Sequence, residues 1–141
     1  MSTLLDTNVL SELLRQQPDE TVLAWFAAQP VDSLYVSAVT QAEMLLGARL
    51  LAKGKRREKL EGALDAMFAE DFAGRLLPFD STAASAYATL VAARRSAGRP
   101  ISQFDGQIAA IAVSRRSSVA TRNVADFAGC GVPVKNPWVR S

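Results

Sequence analysis

The chemistry open to this chain is limited by the residue types it lacks. Its 141 residues contain no histidine and one cysteine, Cys130, beside fourteen Asp and Glu and sixteen Lys and Arg. The lack of histidine excludes Ser-His-Asp and Cys-His nucleophile pairs and acid–base catalysis by imidazole. It also excludes zinc sites built on imidazole, and a single thiol cannot build a cysteine cluster. The remaining groups favour a centre in which carboxylates hold a hard divalent cation.

Four of the acidic residues fall where predicted strands and helices meet. Asp6 directly follows the first predicted strand, and Asp126 lies a few residues beyond the strand that ends at Thr121. Glu43 and Asp105 lie near the starts of predicted helices. Four carboxylates in one pocket would repel one another and become protonated unless a divalent cation neutralised them. Mg²⁺ and Mn²⁺ are the cations that suit such oxygen ligands.

Each acid also has a purely structural interpretation. Three of them follow a possible capping side chain by three residues, in the pairs Thr40-x-x-Glu43, Ser102-x-x-Asp105 and Asn123-x-x-Asp126. Such pairs resemble capping boxes, which stabilise a helix without any catalytic role. Asp6 could favour a helix N-terminus by its charge. An acid at the end of a buried parallel strand, however, calls for a partner, so the four together indicate a site.

The elements that must position these acids alternate along the chain. The hydrophobic pattern predicts strands at 3–5, 34–37, 75–79, 118–121 and 132–135. Helices are predicted at 9–17, with Asn8 as the cap, and at 20–29, 39–52 and 55–72. A fifth helix begins at the possible caps Ser81 and Thr82 and reaches 97, and a sixth runs from 102 or 104 to 114. The alternation predicts an α/β fold, a mostly parallel central sheet flanked by helices, and a single domain over 1–141. Ligands of such a sheet bind at the carboxyl ends of its strands, where the acids are expected.

Charge and hydropathy indicate the compartment and permit a nucleic-acid partner. The net charge of +2 is compatible with binding RNA. Basic residues at 53–57, at Arg94, Arg95 and Arg99, and at 115–116 could contact phosphates or lie on a solvated surface. The longest uncharged stretch, 81–93, is too short to cross a membrane, and the N-terminus lacks the pattern of a signal peptide. A cytoplasmic protein is therefore predicted.

Several blocks of the sequence together resemble a PIN domain. They cover 4–10 with Asp6-Thr-Asn8, 36–47 with Glu43, 105–110, 119–127 with Thr121-Arg-Asn-x-x-Asp-Phe127, and the ending 134–138. In order and spacing they are similar to the VapC/FitB-like toxins of bacterial type II toxin–antitoxin systems, over essentially the whole chain. The resemblance implies an endoribonuclease that depends on Mg²⁺ or Mn²⁺. Cleavage by metal-activated water would leave a 5′-phosphate and a 3′-hydroxyl.

The resemblance also assigns roles to individual residues. The acidic quartet of the family matches Asp6, Glu43, Asp105 and Asp126, of which Asp6 and Asp105 would be the most direct metal ligands. Glu43 and Asp126 would act directly or through bound water. The polar residues that orient acids or water match Thr7 or Asn8 and Thr121, and Asn123 is expected to steady the loop of Asp126. The chain departs from the pattern at Gly106, where many relatives carry an apolar side chain, and a looser helix start around Asp105 is expected there.

The partners implied by the resemblance are a second copy of the chain and a small antitoxin. The antitoxin would lay its C-terminal segment in a groove near the acids, with walls around Leu13, Leu46 and Leu50. Toxin and antitoxin could join into a hetero-oligomer, in which the antitoxin would contact operator DNA. No membrane partner is expected.

Three other interpretations stay open at this point. An aspartate-nucleophile phosphatase would use Asp6, but it needs a second acid two residues later, where Asn8 stands. A phospho-accepting receiver domain would need an acidic pair near the N-terminus and a suitably placed lysine. A PIN-like scaffold would bind RNA or a protein partner without cutting, although such loss of catalysis usually removes some of the acids.

Overall fold

The apolar strand near the N-terminus forms the centre of a parallel sheet. In the computed structural model, which describes residues 2–140, five strands follow the order β3-β2-β1-β4-β5, and every pairing is parallel. The strands are β1 (Thr3–Leu5), β2 (Leu34–Ser37), β3 (Leu76–Leu77), β4 (Ser118–Ala120) and β5 (Val134–Lys135). Residue Thr3 is aligned with Leu34 on one side and Ser118 on the other. The predicted α/β fold and parallel sheet are confirmed.

Helices cover both faces of the sheet because successive strand residues point to opposite sides. Leu4 packs with Ile108 and Leu90 in one core cluster, whereas Leu5 packs with Leu10 and others in a second cluster. The helices are α1 (Thr7–Leu13), α2 (Glu20–Ala28), α3 (Ala38–Arg49), α4 (Lys55–Ala66), α5 (Ser81–Ser96), α6 (Gln103–Ser114) and α7 (Val124–Phe127). The second cluster takes most of its helical side chains from α1, α3 and α4, and the first cluster takes most of them from α5 and α6.

Several predicted helix ends are wrong, and at two helix starts the reason is that an aspartate takes the capping position. Helix α1 begins at Thr7, not after Asn8, because the Asp6 carboxylate caps it, and it ends at Leu13 well before 17. Asp80, not Ser81 or Thr82, caps α5 by accepting the main-chain N–H of Ala83 at 3.0 Å.

The remaining boundaries differ by a few residues. Helix α3 ends at Arg49 rather than 52, and α4 continues as a π-helical turn over Met67–Asp71, close to the predicted end at 72. The predicted strands at 75–79 and 132–135 shorten to two residues each, and β4 ends one residue before Thr121. Ser102 caps α6 as predicted, whereas α7 was not predicted.

Gly106 lets α5 and α6 approach closely at the start of α6. A Cβ atom at this position would lie 3.0 Å from Cε2 of Tyr87 and 3.2 Å from Cγ2 of Val91, both on α5. The glycine is buried, and the helix start is held by the Ser102 cap. Gly106 therefore has a packing role at the base of Asp105, in place of the expected loosening.

Within residues 2–140, no helix has the length and apolar character needed to span a bilayer.

Candidate active site

Asp6 lies at the carboxyl end of the central strand and is almost completely buried. Its Oδ1 accepts the main-chain N–H of Thr7 at 2.8 Å, and its Oδ2 accepts the Thr121 hydroxyl at 2.8 Å. Burial raises the pKa of Asp6 above its ordinary value, while the hydrogen bonds from Thr121 and Thr7 lower it. The negative charges of Asp105 and Glu43 raise this pKa further. Asp6 thus caps α1 and also faces two other acids.

Thr121 joins the two ends of the chain at this carboxylate. Besides donating to Asp6, its hydroxyl oxygen accepts the Asn8 side-chain amide at 3.2 Å and the main-chain N–H of Asn123 at 3.0 Å. The Oδ1 atom of Asn8 in turn accepts the main-chain N–H of Arg122 at 3.2 Å. Because Thr121 is fully buried, these hydrogen bonds hold residues 6–8 and 121–123 in one fixed arrangement.

Glu43 is connected to the same arrangement through Thr7. The Thr7 hydroxyl donates to Oε1 of Glu43 at 2.9 Å and lies 3.2 Å from the Thr40 hydroxyl. The proposed capping box of Thr40 and Glu43 does not form, because Ser37 caps α3 and its Oγ accepts the Thr40 main-chain N–H at 3.0 Å. Glu43 is therefore free of a capping role and is oriented by Thr7.

Asp105 occupies the first turn of α6 and is partly buried. Its main-chain N–H donates to Ser102 Oγ at 3.2 Å, as the capping pattern predicted. Burial raises the pKa of Asp105, and a hydrogen bond with the Ser102 side chain lowers it. The charge of Asp126 raises this pKa and the charge of Arg94 lowers it. Asp105 is thus electrostatically coupled to Asp126, as Asp6 is to Asp105 and Glu43.

Asp126 is the exposed member of the four and lies on the short helix α7. Its main-chain N–H donates to the carbonyl oxygen of Asn123 at 3.0 Å. The Asn123 side chain makes no capping hydrogen bond to α7, so the predicted side-chain cap is wrong. Asn123 instead contacts Thr121 through its main-chain N–H, which ties the loop of Asp126 to the buried hydroxyl.

Arg94 is a residue of this site that sequence reasoning missed. Its basic neighbours predict either a contact with phosphates or a place on a solvated surface, yet Arg94 is only 7 % exposed. Its Nη1 donates to the carbonyl oxygens of Asp126 at 3.0 Å and Ala128 at 2.9 Å, and it lies 3.3 Å from Sγ of Cys130. Arg94 therefore fastens the segment that carries Asp126 to α5. An arginine at the inward position of a helix is the only signal that could have indicated this.

The side chains fit a hard divalent cation that keeps much of its water. Within residues 2–140, none of the four acids makes an ion pair with Lys or Arg, and the charge of Arg94 offsets the repulsion only in part, at Asp105. In the same range, no three acidic or thiol side chains close into a ready-made metal cluster. Mg²⁺ needs no such cluster, because it usually binds one or two carboxylates and retains several waters.

The sequence and fold are similar to those of known proteins over nearly the whole chain. The PIN domain family matches residues 3–128. The VapC ribonuclease Y4jK of Sinorhizobium fredii is 44% identical over 134 residues, which span 95% of this chain and 96% of that protein. Toxin FitB of Neisseria gonorrhoeae is 44% identical over 135 residues, which span 96% of this chain and 97% of that protein.

The fold of this chain is also similar to that of a solved structure. The structure of FitAB bound to the IR36 DNA fragment superposes on this fold with a TM-score of 0.93 at 42% identity. The match covers 99% of this chain and 97% of that one. The resemblance drawn from the sequence blocks is thereby confirmed. The chain belongs to the PIN-domain family and, within it, to the VapC and FitB toxins.

Proposed function

We propose that this chain is the toxin of a type II toxin–antitoxin pair and hydrolyses RNA phosphodiester bonds with Mg²⁺ or Mn²⁺. The observation that carries the proposal is Asp6, a buried carboxylate held by Thr121 and facing further acids with no ion-paired cation. The name of the VapC ribonuclease at 44% identity supports RNA as the substrate.

The residues divide the work according to their contacts. Asp6 and Asp105 would hold the cation, and Glu43 and Asp126 would act on it directly or through bound water. When bound, the cation lowers the pKa of a water molecule and offsets negative charge on the phosphate. Thr121 keeps the Asp6 carboxylate in one orientation, and its contacts with residues 8 and 123 prevent the loop from turning away. The expected products carry a 5′-phosphate and a 3′-hydroxyl.

Thr7 and Asn8 support this arrangement from α1. Thr7 donates its main-chain N–H to Asp6 and its hydroxyl to Glu43, so one residue sets the orientation of two carboxylates. Asn8 occupies the position where an aspartate-nucleophile phosphatase needs a general acid. Its amide donates to Thr121 instead, which does not suit that alternative.

An antitoxin segment fits a groove beside the acids. A cavity of about 450 Å³ between α1, α3 and α4 is lined by Thr7 and Glu43 and therefore opens at the site. Leu46 on α3 and Leu50 just after it do not line this cavity, but they are 56% and 76% exposed, which suits residues that a partner covers. Leu13 differs from the expectation, because it packs against the core and lines the neighbouring cavity.

The assembly follows the same proposal. The relative FitAB was solved as a complex bound to DNA. We infer that this toxin pairs with a cognate antitoxin and that operator DNA is contacted through the antitoxin. A homodimer of the chain and a toxin–antitoxin hetero-oligomer belong to the proposal, as does action in the cytoplasm, where cellular RNA is found.

The experiment is cleavage of total RNA by the purified, antitoxin-free chain with Mg²⁺, with Mn²⁺ and with EDTA. We expect discrete 5′-phosphorylated fragments that disappear in EDTA and in the Asp105→Asn variant. Cooperative unfolding of the variant at or above the melting temperature of the parent excludes loss of folding as the cause. RNA binding without cleavage under any of these cations would instead support a non-catalytic scaffold.

A further inference from the structure

A second cleft adjoins the acidic site at the same edge of the sheet. The carbonyl oxygen of Lys135, at the end of β5, accepts the main-chain N–H of Thr121 at 2.9 Å. The chain after β5 therefore leaves the sheet directly beside the Asp6–Thr121 pair. It forms one wall of a cleft of about 730 Å³, whose other wall is α2. This volume lies in the range of small-molecule sites, large enough for nucleotides.

The cleft and its approach carry cations without ion-pair partners. Lys135 and Arg140 line the cleft, opposed by a single acid, Glu20. Arg122 directly follows Thr121 in the chain, and its guanidinium lies over the Trp138 ring, 5.1 Å from the ring centroid. In the described part of the chain, none of these three cations makes an ion pair. A cation stacked on an indole is held in place while its charge stays available.

The cleft also offers groups that suit bases and sugars. Trp25 contributes a partly buried aromatic ring, flanked by small apolar residues of α2. The Asn136 side chain uses its Oδ1 to accept the Trp138 main-chain N–H at 2.9 Å, which leaves its amide N–H groups available. Gln29 donates its amide to the Trp25 carbonyl oxygen, which leaves its own oxygen available. Cations, an aromatic ring and free amides are the combination that binds single strands with little sequence preference.

We propose that this cleft binds the single-stranded RNA that flanks the scissile phosphate, with Arg122, next to Thr121, as a further cation for its phosphates. The inference rests on the proposed nuclease function and adds its substrate track. Four carboxylates repel the phosphates on either side of the cut, so a cut strand needs cations just outside the acidic centre. The cleft provides them at the edge where Thr121 and Lys135 are joined.

The test is binding of a fluorescein-labelled, single-stranded oligoribonucleotide of about fifteen nucleotides, followed by anisotropy at several salt concentrations. Asp105→Asn is the background, so that the RNA stays intact. Lys135→Gln with Arg140→Gln should weaken binding roughly fivefold per cation at 0.1 M salt and lower the slope of log K against log salt by about 0.7 per cation. Lys55→Gln with Lys59→Gln removes two exposed charges from α4 and should leave both values unchanged. Lys135→Arg should retain binding.

The second measurement is the kinetics of RNA cleavage, made in the enzyme that retains Asp105. Lys135→Gln with Arg140→Gln should increase the KM for the long oligonucleotide and leave kcat unchanged. A dinucleotide substrate is too short to reach the cleft, so variant and parent should cut it equally well. Equal losses in the α4 control would overturn the cleft as the site. So would unchanged RNA binding together with weaker antitoxin binding, which would assign the cleft to the protein partner. Failure of the parent enzyme to cut RNA would count against the proposed function alone, since the binding assay does not depend on turnover.

Discussion

Replacing Thr121 by valine should reveal how strongly the buried hydroxyl supports Asp6. Valine keeps the shape of threonine but removes one donated and two accepted hydrogen bonds. A hydrogen bond to a charged group contributes about 1.5–3 kcal/mol, and a buried donor left without an acceptor costs about 1–3 kcal/mol. Because Asn8 and Asn123 are within reach of solvent, part of the second cost is recovered by water. We expect a loss of about 2–4 kcal/mol in the free energy of unfolding at neutral pH.

The pH dependence distinguishes this hydrogen bond from simple packing. The Thr121 hydroxyl lowers the pKa of Asp6, so its contribution is present when Asp6 is ionised and is lost as the pH falls through the folded-state pKa. The difference in stability between Thr121→Val and the parent should therefore shrink in acid. The pKa of Asp6 should also rise further in the variant, which moves the acid limb of the RNA-cleavage profile to higher pH.

The assay is urea unfolding at a series of pH values, combined with the pH profile of RNA cleavage. Thr121→Ser is the matched control, because it keeps the hydroxyl and loses only a methyl group worth about 1 kcal/mol. The reasoning is refuted if valine and serine cost the same at every pH, or if valine leaves the cleavage profile unmoved.

Three further predictions test other parts of the site. Asp105→Asn should raise the melting temperature of the metal-free chain at neutral pH, since burial raises the pKa of Asp105 and disfavours its charge. This gain in stability should vanish when the pH falls below the unfolded-state pKa of Asp105. Mn²⁺ should raise the melting temperature of the variant less than that of the parent. Gly106→Ala should cost about 1–2 kcal/mol in urea unfolding by overpacking against α5, whereas Gly62→Ala, with open space around its Cβ, should add up to about 1 kcal/mol; equal effects would contradict the packing argument. Arg94→Met should speed hydrogen exchange in α7 and slow RNA cleavage, whereas Arg95→Met, its exposed neighbour, should change neither; unaltered exchange in the Arg94 variant would contradict the role assigned to its contacts.

The order of strands and helices could be predicted because it depends on local patterns. The run Thr3-Leu-Leu5 has the uniform apolar character of a strand buried on both faces, and the acid after it marks the edge of the sheet. Helix starts were harder to place because several neighbouring side chains can cap the same turn. Asp6 competes with Asn8, and Asp80 competes with Ser81, and the choice is decided by backbone angles that the sequence does not display.

The remaining features depend on contacts between distant segments. The helical spacing places Arg94 on the inward face of α5, but it does not identify the loop, 32 residues later, that its guanidinium reaches. In the same way, the packing role of Gly106 depends on Tyr87 and Val91, which belong to another helix. Thr121 could be identified from its family motif, but its position between Asn8 and Asn123 becomes visible only when both ends of the chain are folded together.

The pairing of the first and fourth strands has a consequence for the timing of protein synthesis. Residues 3–6 emerge first, yet their partners at 118–121 are translated 115 positions later. Until then β1 has an open edge on that side, and Asp6 lacks the hydrogen bond from Thr121 that lowers its pKa. A chain that stalls or is cut before Ser118 therefore carries three of the proposed acids but no organised centre. On the proposed function, the nuclease centre therefore forms only after residues 118–121 have been made and have paired with β1.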